Sequence, residues 1–277
     1  MSGPAFTVLL PVHRPPALLR YAIASVQAQK RRDFELFVIC DGAPPETAAL
    51  ARQCATGDAR IRVFEHPKGE GNGELYRHQA LQVARGKYVC QIADDDLWLP
   101  NHLTEMAILL RAAYFGHISM VWLMPDETLD VARQDLTDPA IRQRMLTENW
   151  NLFGPTTAGY RLSAYRDLPD GWSPAPREIA SDLFMWRKFL ARPELRVGTR
   201  YAITSAHFAT PHRQDWPLAQ REAEQRRWAE RLADPALRRA FVRKGEIKIA
   251  GEILGQSSRL THPLRTIADW LNWKSRA

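Results

Sequence analysis

The sequence predicts an α/β fold: a mostly parallel central sheet flanked by helices, with a helical C-terminal tail. Two observations predict it. Strand and helix signals alternate with short connections over the first 125 residues, the pattern of a parallel sheet with helices on both faces. Three polar groups, Pro11-Val12-His13, Asp41-Gly42 and Asp94-Asp95-Asp96, fall at the carboxyl ends of predicted strands, where open α/β sheets bind ligands.

Each element follows from its residues. Phe6–Leu10 is an apolar, β-branched run and reads as a buried strand. Ala17–Gln29 puts Leu18, Tyr21, Ala22, Ser25 and Val26 on one helical face. Phe34–Cys40 is a second strand, Glu46–Ala55 a helix after two prolines, and Ile61–Phe64 a short strand. The glycine-rich stretch from Lys68 to Gly73 reads as a flexible loop before a helix of about a dozen residues, with Gly86 as its C′ glycine. Tyr88–Ile92 is the strand that carries the three aspartates, and Pro100 the N1 residue of a helix over Asn101–Tyr114. Beyond about residue 125, prolines at 155, 169, 174 and 176 mark loops around short elements. Glu178–Ala191 then reads as a helix, and residues 217–254 as one or two amphipathic helices.

The 277 residues suffice for one large α/β domain or two small ones, and 45% hydrophobic with 25% charged residues is an ordinary globular composition. No run approaches the roughly 18 apolar residues of a membrane span. The N-terminus reads as a first strand and not a signal peptide. Cys40, Cys54 and Cys90 are odd in number and lack CxxC spacing, which argues against a disulfide framework or a zinc site. Cytosol is the default compartment. Residues 201–277 hold 14 Lys and Arg against 8 Asp and Glu, nearly all of the net charge of +7. Solvent is the commonest partner of such a tail, and no nucleic-acid partner is assigned.

The aspartates pose the main physical question. Two unit charges roughly 5 Å apart at an effective dielectric of about 20 repel by on the order of 3 kcal/mol. Water, basic side chains or a divalent cation must offset that. Alone, the three acids read as solvent-facing helix caps; carboxylates also suit Mg2+ or Mn2+, with substrate phosphates completing the shell. Asp41-Gly42 is also an ordinary turn signal. Gly69–Gly73 matches neither the P-loop nor GxGxxG, and His13-Arg14-Pro15-Pro16 gives no glycines for a Rossmann pyrophosphate site.

Thr7-Val-Leu-Leu-Pro-Val-His-Arg-Pro-Pro16, Ala22-Ile-Ala-Ser-Val-Gln-Ala-Gln29 and Phe34-Glu-Leu-Phe-Val-Ile-Cys-Asp-Gly42 resemble, in this order, the opening of a family 2 glycosyltransferase with the GT-A fold. So does Gln79-Ala-Leu-Gln-Val-Ala-Arg-Gly-Lys-Tyr-Val89 running into Ala-Asp-Asp-Asp96. The resemblance is strong over residues 5–125 and weaker to about 215. It implies that Pro11, Val12 and His13 line a nucleotide pocket, that Asp41 accepts a hydrogen bond from the base, and that Arg77 lies near the donor diphosphate. It further implies that Asp94 and Asp95 orient ribose and metal-bound water, and that Asp96 ligates Mn2+ or Mg2+. Ala93 and His78 depart from the family's frequent Asp and Asn, and His78 leaves sugar recognition open. Ala180-Ser-Asp-Leu-Phe-Met-Trp-Arg-Lys188 resembles the family's base segment with Ser181 in place of Glu, which makes Asp182 the general base. Asp182 alone reads as an N-terminal helix acid, a position expected to keep its pKa low. His212, and less so His207, would complete the metal shell, and Arg213 would meet a phosphate. Trp150, Trp172 and Tyr160 are either acceptor-stacking or packing residues.

The expected activity is transfer of a sugar from a nucleoside-diphosphate sugar to a hydroxyl of a glycan or lipid-linked glycan, by metal-assisted inverting displacement. Residues 1–125 would bind the donor, 126–215 the acceptor and carry the base, and 216–277 form a helical extension. The alternatives are a sugar-phosphate nucleotidylyltransferase, whose glycine-rich basic loop is missing here, and a catalytically silent sugar-nucleotide or glycan-binding module, which Ala93 and Ser181 keep open. Residues 259–277 place Leu264, Ile267, Ala268 and Leu271 at helical spacing beside Trp270 and Trp273, with Arg259, Arg265, Lys274 and Arg276 around them. This suits a peripheral membrane helix or one docked on the protein's own core.

Overall fold

A computed structural model describes residues 3–257. The tail helix expected over 259–277 lies outside the described residues. The chain begins as β1 (Phe6–Val12), α1 (Leu19–Gln27), β2 (Phe34–Asp41), α2 (Pro45–Gly57), β3 (Ile61–His66), α3 (Glu74–Gln82) and β4 (Tyr88–Gln91). There follow β5 (Leu97–Trp98), α4 (His102–Ala112), β6 (Phe115–Ile118), the hairpin β7 (Val121–Leu123) and β8 (Leu129–Val131), and α5 (Pro139–Thr147). The remainder is β9 (Ala158–Arg161), α6 (Leu162–Arg166), α7 (Ser181–Leu190), β10 (Val197–Arg200), β11 (Ser205–Ala206), α8 (Leu218–Ala233) and α9 (Pro235–Ser257).

Seven strands form the central sheet in the order β10-β6-β9-β4-β1-β2-β3. All neighbours are parallel except β9, which runs antiparallel to both β4 and β6. The sheet thus draws strands from both sides of residue 125. Every residue of β2 and β4 is buried, as in a sheet covered on both faces, which is why these strands read as near-continuous apolar runs. On one face α1 buries Leu19, Ala22, Ile23 and Val26 against Val8, Leu10, Leu36 and Val38. On the other, Leu183, Trp186 and Phe189 of α7 join Leu9, Phe37, Val89 and Phe115.

Two sequence expectations change in detail, and a third is narrowed from one or two helices to two. Helix α3 ends at Gln82, so Gly86 is not its C′ residue. A Cβ at Gly86 would lie 2.3 Å from Thr7 N, so glycine is required there by close backbone approach to β1. Pro100 precedes the capping residue Asn101 and therefore stands outside the first turn of α4. The C-terminal basic stretch forms two helices, because Asp234 Oδ1 accepts from Ala236 N and Leu237 N at 2.7 and 2.8 Å and Pro235 opens the new helix. Trp228 and Leu232 of α8 pack with Phe241 and Ile249 of α9 on Leu97, Val121 and Leu129, a third apolar cluster.

Candidate functional site

Because β2, β1 and β4 are parallel neighbours, their carboxyl ends share one edge of the sheet, and the expected residues meet there. Asp41 closes β2, Val12 closes β1, and Asp94–Asp96 follow β4. The aspartates are not solvent-facing caps: Asp94, Asp95 and Asp96 are 4%, 5% and 0% exposed. Basic side chains compensate them. Arg14 places Nε 3.1 Å from Asp94 Oδ2 and Nη1 3.0 Å from Asp95 Oδ2. Arg221, from α8, donates to the same Asp95 oxygen at 2.7 Å. Burial, then the Asp95 charge, pushes the Asp94 carboxyl up to about 7. Burial acts on Asp95 too, but Arg14, His207 and Arg221 outweigh it and hold that carboxyl below its usual range. Neighbouring acids are thereby split into a readily protonated and a firmly ionised one.

Asp96 is held by different partners. Thr156 Oγ1 donates to its Oδ2, Phe208 N donates to Oδ1 at 3.0 Å, and His207 Nδ1 lies 2.9 and 2.7 Å from the two oxygens. The histidine beside Asp96 is therefore His207, which corrects the expectation for His212. Strand β11 pairs with β5 so that Ala206 faces Leu97, and the next residue, His207, falls beside Asp96. His212 sits five residues on, in an exposed single-turn helix. Burial disfavours protonation of His207, but the Asp96 carboxylate outweighs it and raises the imidazole pKa. Among the described residues no three His, Cys, Asp or Glu side chains converge as a closed cation cage. Asp96 with His207 fits the sparser pattern in which Mg2+ or Mn2+ takes one or two protein groups and fills its shell from phosphates and water.

The glycine-rich loop is built around Asp41. Lys68 Nζ and Gly69 N donate to its two oxygens at 2.6 and 2.7 Å. Gly73, at φ 72°, caps α3 where a Cβ would lie 2.9 Å from Asp41 Oδ2. Beside Asp41, His13 has its imidazole pKa lowered by partial burial and by the cations Arg14 and Lys68.

Arg77 projects from α3 toward α7. It is buried, stacks 4.1 Å from the Trp172 ring centroid, and donates to Asn72 O and Ser181 Oγ, each at 3.2 Å. Ser181 thus uses its hydroxyl to accept from Arg77. The next residue, Asp182, is half-buried and accepts from Asn151 Nδ2 at 2.9 Å and Leu183 N at 2.8 Å. Its pKa is raised, not lowered as its helix position suggested, because burial outweighs the hydrogen bonds. Trp172 and Tyr160 are 2% and 1% exposed and bonded to each other, which makes them core residues and not acceptor platforms. Half-buried Trp150 is covered by Arg144. Arg213, expected at a phosphate, is buried and donates to Glu224 at 2.5 and 2.7 Å and to Leu123 O at 2.9 Å. Sequence reading passed over Arg14, Lys68, Thr156 and Arg221. The signal for Arg14 was a cation two residues after the first strand; the other three carried none.

The family description Glycosyl transferase family 2 matches residues 7–169, more than half of the chain. The chain belongs to glycosyl transferase family 2. Within that family, 99 residues are 35% identical to the succinoglycan biosynthesis protein ExoW of Rhizobium meliloti, covering 35% of this chain and 31% of that protein. The chain spans well under half the length of the curated relatives it matches. TarS of S. aureus, solved with UDP-GlcNAc, superposes with a TM-score of 0.57 at 17% identity, over 74% of this chain and 58% of TarS. The mannosyltransferase PcManGT of Pyrobaculum calidifontis, solved with GDP-Man and Mn2+, superposes with a TM-score of 0.55 at 16% identity, over 100% and 81%. Family 2 membership and these likenesses agree on the GT-A fold, with β9 as its antiparallel insertion in the sheet.

Proposed function

We propose that this family 2 chain is a glycosyltransferase that moves a sugar from a nucleoside-diphosphate sugar to a hydroxyl of a glycan or lipid-linked glycan, with inversion. The observation that carries the reading is the buried Asp94–Asp96 cluster at the carboxyl edge of the sheet, compensated by Arg14, Arg221 and His207. A binding edge with this density of charge suits a diphosphate better than a neutral ligand. The nucleotide sugars present with TarS and PcManGT support a donor of this class.

In this reading Pro11, Val12 and His13 line the base pocket and Asp41 accepts from the base. Asp94 and Asp95 orient the ribose and would orient water on the bound ion, and Arg77 stands near the diphosphate. Asp96 and His207 would hold Mn2+ or Mg2+, which when bound supplies charge neutralisation to the departing nucleoside diphosphate. Asp182 accepts the acceptor hydroxyl's proton as that oxygen bonds to the anomeric carbon from the face opposite the leaving group. The sugar–oxygen bond to the diphosphate breaks in the same step, so the configuration inverts. Residues 1–125 serve the donor, 126–215 the acceptor and base, and 216–277 are an extension that lends Arg221 to the acids.

Hydrolysis of a panel of nucleotide sugars, with and without Mn2+, tests the reading. Release of free sugar and nucleoside diphosphate from one donor is expected. Pyrophosphate-dependent nucleotidyl exchange would replace it with a nucleotidylyltransferase, and binding without turnover would make the chain a silent module.

A further inference from the structure

The flank of the C-terminal helix pair carries features that the transferase reading does not use. Between the Leu99–Asn101 turn and α9 lies a cleft of about 990 Å3, lined by Lys30, Arg238, Arg239 and Arg243, with Glu246 on its wall. Arg238 donates to the Leu232 and Ala233 carbonyls at 2.7 and 3.0 Å. Asp234, whose charge Arg239 and Arg238 both feel, uses Oδ1 to cap α9. Among the described residues the exposed Lys30, Arg239 and Arg243 close no salt bridge.

Pro100 and Arg238 line both this cleft and a second cavity of about 400 Å3 between α1 and α8, walled by Ala24, Ala28, Leu97, Trp98 and Leu232. A cationic mouth therefore adjoins an apolar hollow. Along α9, Arg239, Arg243 and Ile247 stand four residues apart and share one stripe. Ile247 is 62% exposed, more than any other large hydrophobic side chain among the described residues.

A soluble anion would satisfy the cations but leave the hollow and Ile247 unexplained. The chain's own residues 259–277 carry Arg259, Arg265, Lys274 and Arg276 against Asp269, and like charge disfavours them as the occupant. An anionic phospholipid offers both a phosphate and an apolar chain. We propose that this flank docks on an anionic membrane surface, the cleft taking a phospholipid phosphate and the adjoining hollow part of its acyl chain. The proposal is independent of the donor site.

Co-sedimentation of the full chain with phosphatidylglycerol–phosphatidylcholine vesicles, against phosphatidylcholine alone, tests it. Binding to the anionic vesicles is expected, weakened by about 0.5 M NaCl, which screens surface charge. Each basic residue near such a surface contributes about fivefold, so Arg239→Glu with Arg243→Glu should lower partitioning by at least about 25-fold. Ala24→Glu, which puts a charge in the hollow, should lower it as well. Millimolar inorganic phosphate should not displace the protein, and nucleotide-sugar hydrolysis should stay unchanged in every variant. Three results would overturn the proposal: no binding by the wild type, wild-type binding by the double variant, or displacement by phosphate with Ala24→Glu silent.

Discussion

Arg221 Nη2 lies 2.7 Å from Asp95 Oδ2, so a helix beyond the family-matched segment supplies a cation to the acids that follow β4. The same oxygen receives Arg14 at 3.0 Å and Thr210 at 3.4 Å. Arg221→Ala leaves Asp95 buried with one cation fewer. A hydrogen bond to a charged group contributes about 1.5–3 kcal/mol, and Arg14 retains part of the compensation. A loss of about 1–2 kcal/mol in urea unfolding is expected, with Arg221→Lys recovering some of it. Unchanged stability in Arg221→Ala would mean that Arg14 alone neutralises Asp95.

Asp96→Asn should lose Mn2+-dependent binding of a nucleoside diphosphate, read by calorimetric titration. Asp96→Ala is a poorer probe. It relieves carboxylate crowding, but Asp96 also accepts from Phe208 N and Thr156, both buried. Stranding a buried donor costs about 1–3 kcal/mol, so Asp96→Ala should unfold at lower urea than Asp96→Asn. Metal-dependent affinity equal to wild type in Asp96→Asn would remove Asp96 from the cation's shell.

Asp182→Asn should lower turnover by about 10²–10⁴-fold while donor affinity holds, the usual contribution of a general base. The raised pKa of Asp182 sets the pH dependence. A base works deprotonated, so the rate should rise with pH through a pKa above the usual carboxylate range and then level off. The Asn151 hydrogen bond favours the ionised form, so Asn151→Ala should move that limb to higher pH. A limb that survives in Asp182→Asn would place the base elsewhere.

Gly86→Ala should destabilise the protein without touching the site. Its methyl would meet Thr7 N at 2.3 Å and Phe6 C at 2.4 Å, both backbone atoms of β1 that cannot rotate away. Overpacking of this kind typically costs about 1–3 kcal/mol. A thermal midpoint equal to wild type would show that β1 and the 83–87 connection separate easily.

The sequence by itself determined the sheet and the edge at which the polar groups gather. Buried parallel strands need near-continuous apolar runs, and Leu36–Cys40 and Tyr88–Cys90 display them locally, so Asp41 and Asp94–Asp96 could be placed at strand ends from the chain alone. What neutralises those acids was decided by tertiary structure. Arg14 is near in space but some 80 residues away in the chain, Arg221 belongs to another helix, and His207 gains its place over His212 only through the register of β11 on β5. The fate of Arg213, Trp172 and Tyr160 was likewise unreadable, because a cation or aromatic carries no local mark of whether its partner is a ligand or Glu224, Arg77 and each other. Hydrophobic period is a property of neighbours along the chain, whereas charge compensation and burial are properties of neighbours across it. The pKa of Asp182 follows the second kind: its helix position favours the charged form, and the packing around it reverses the sign.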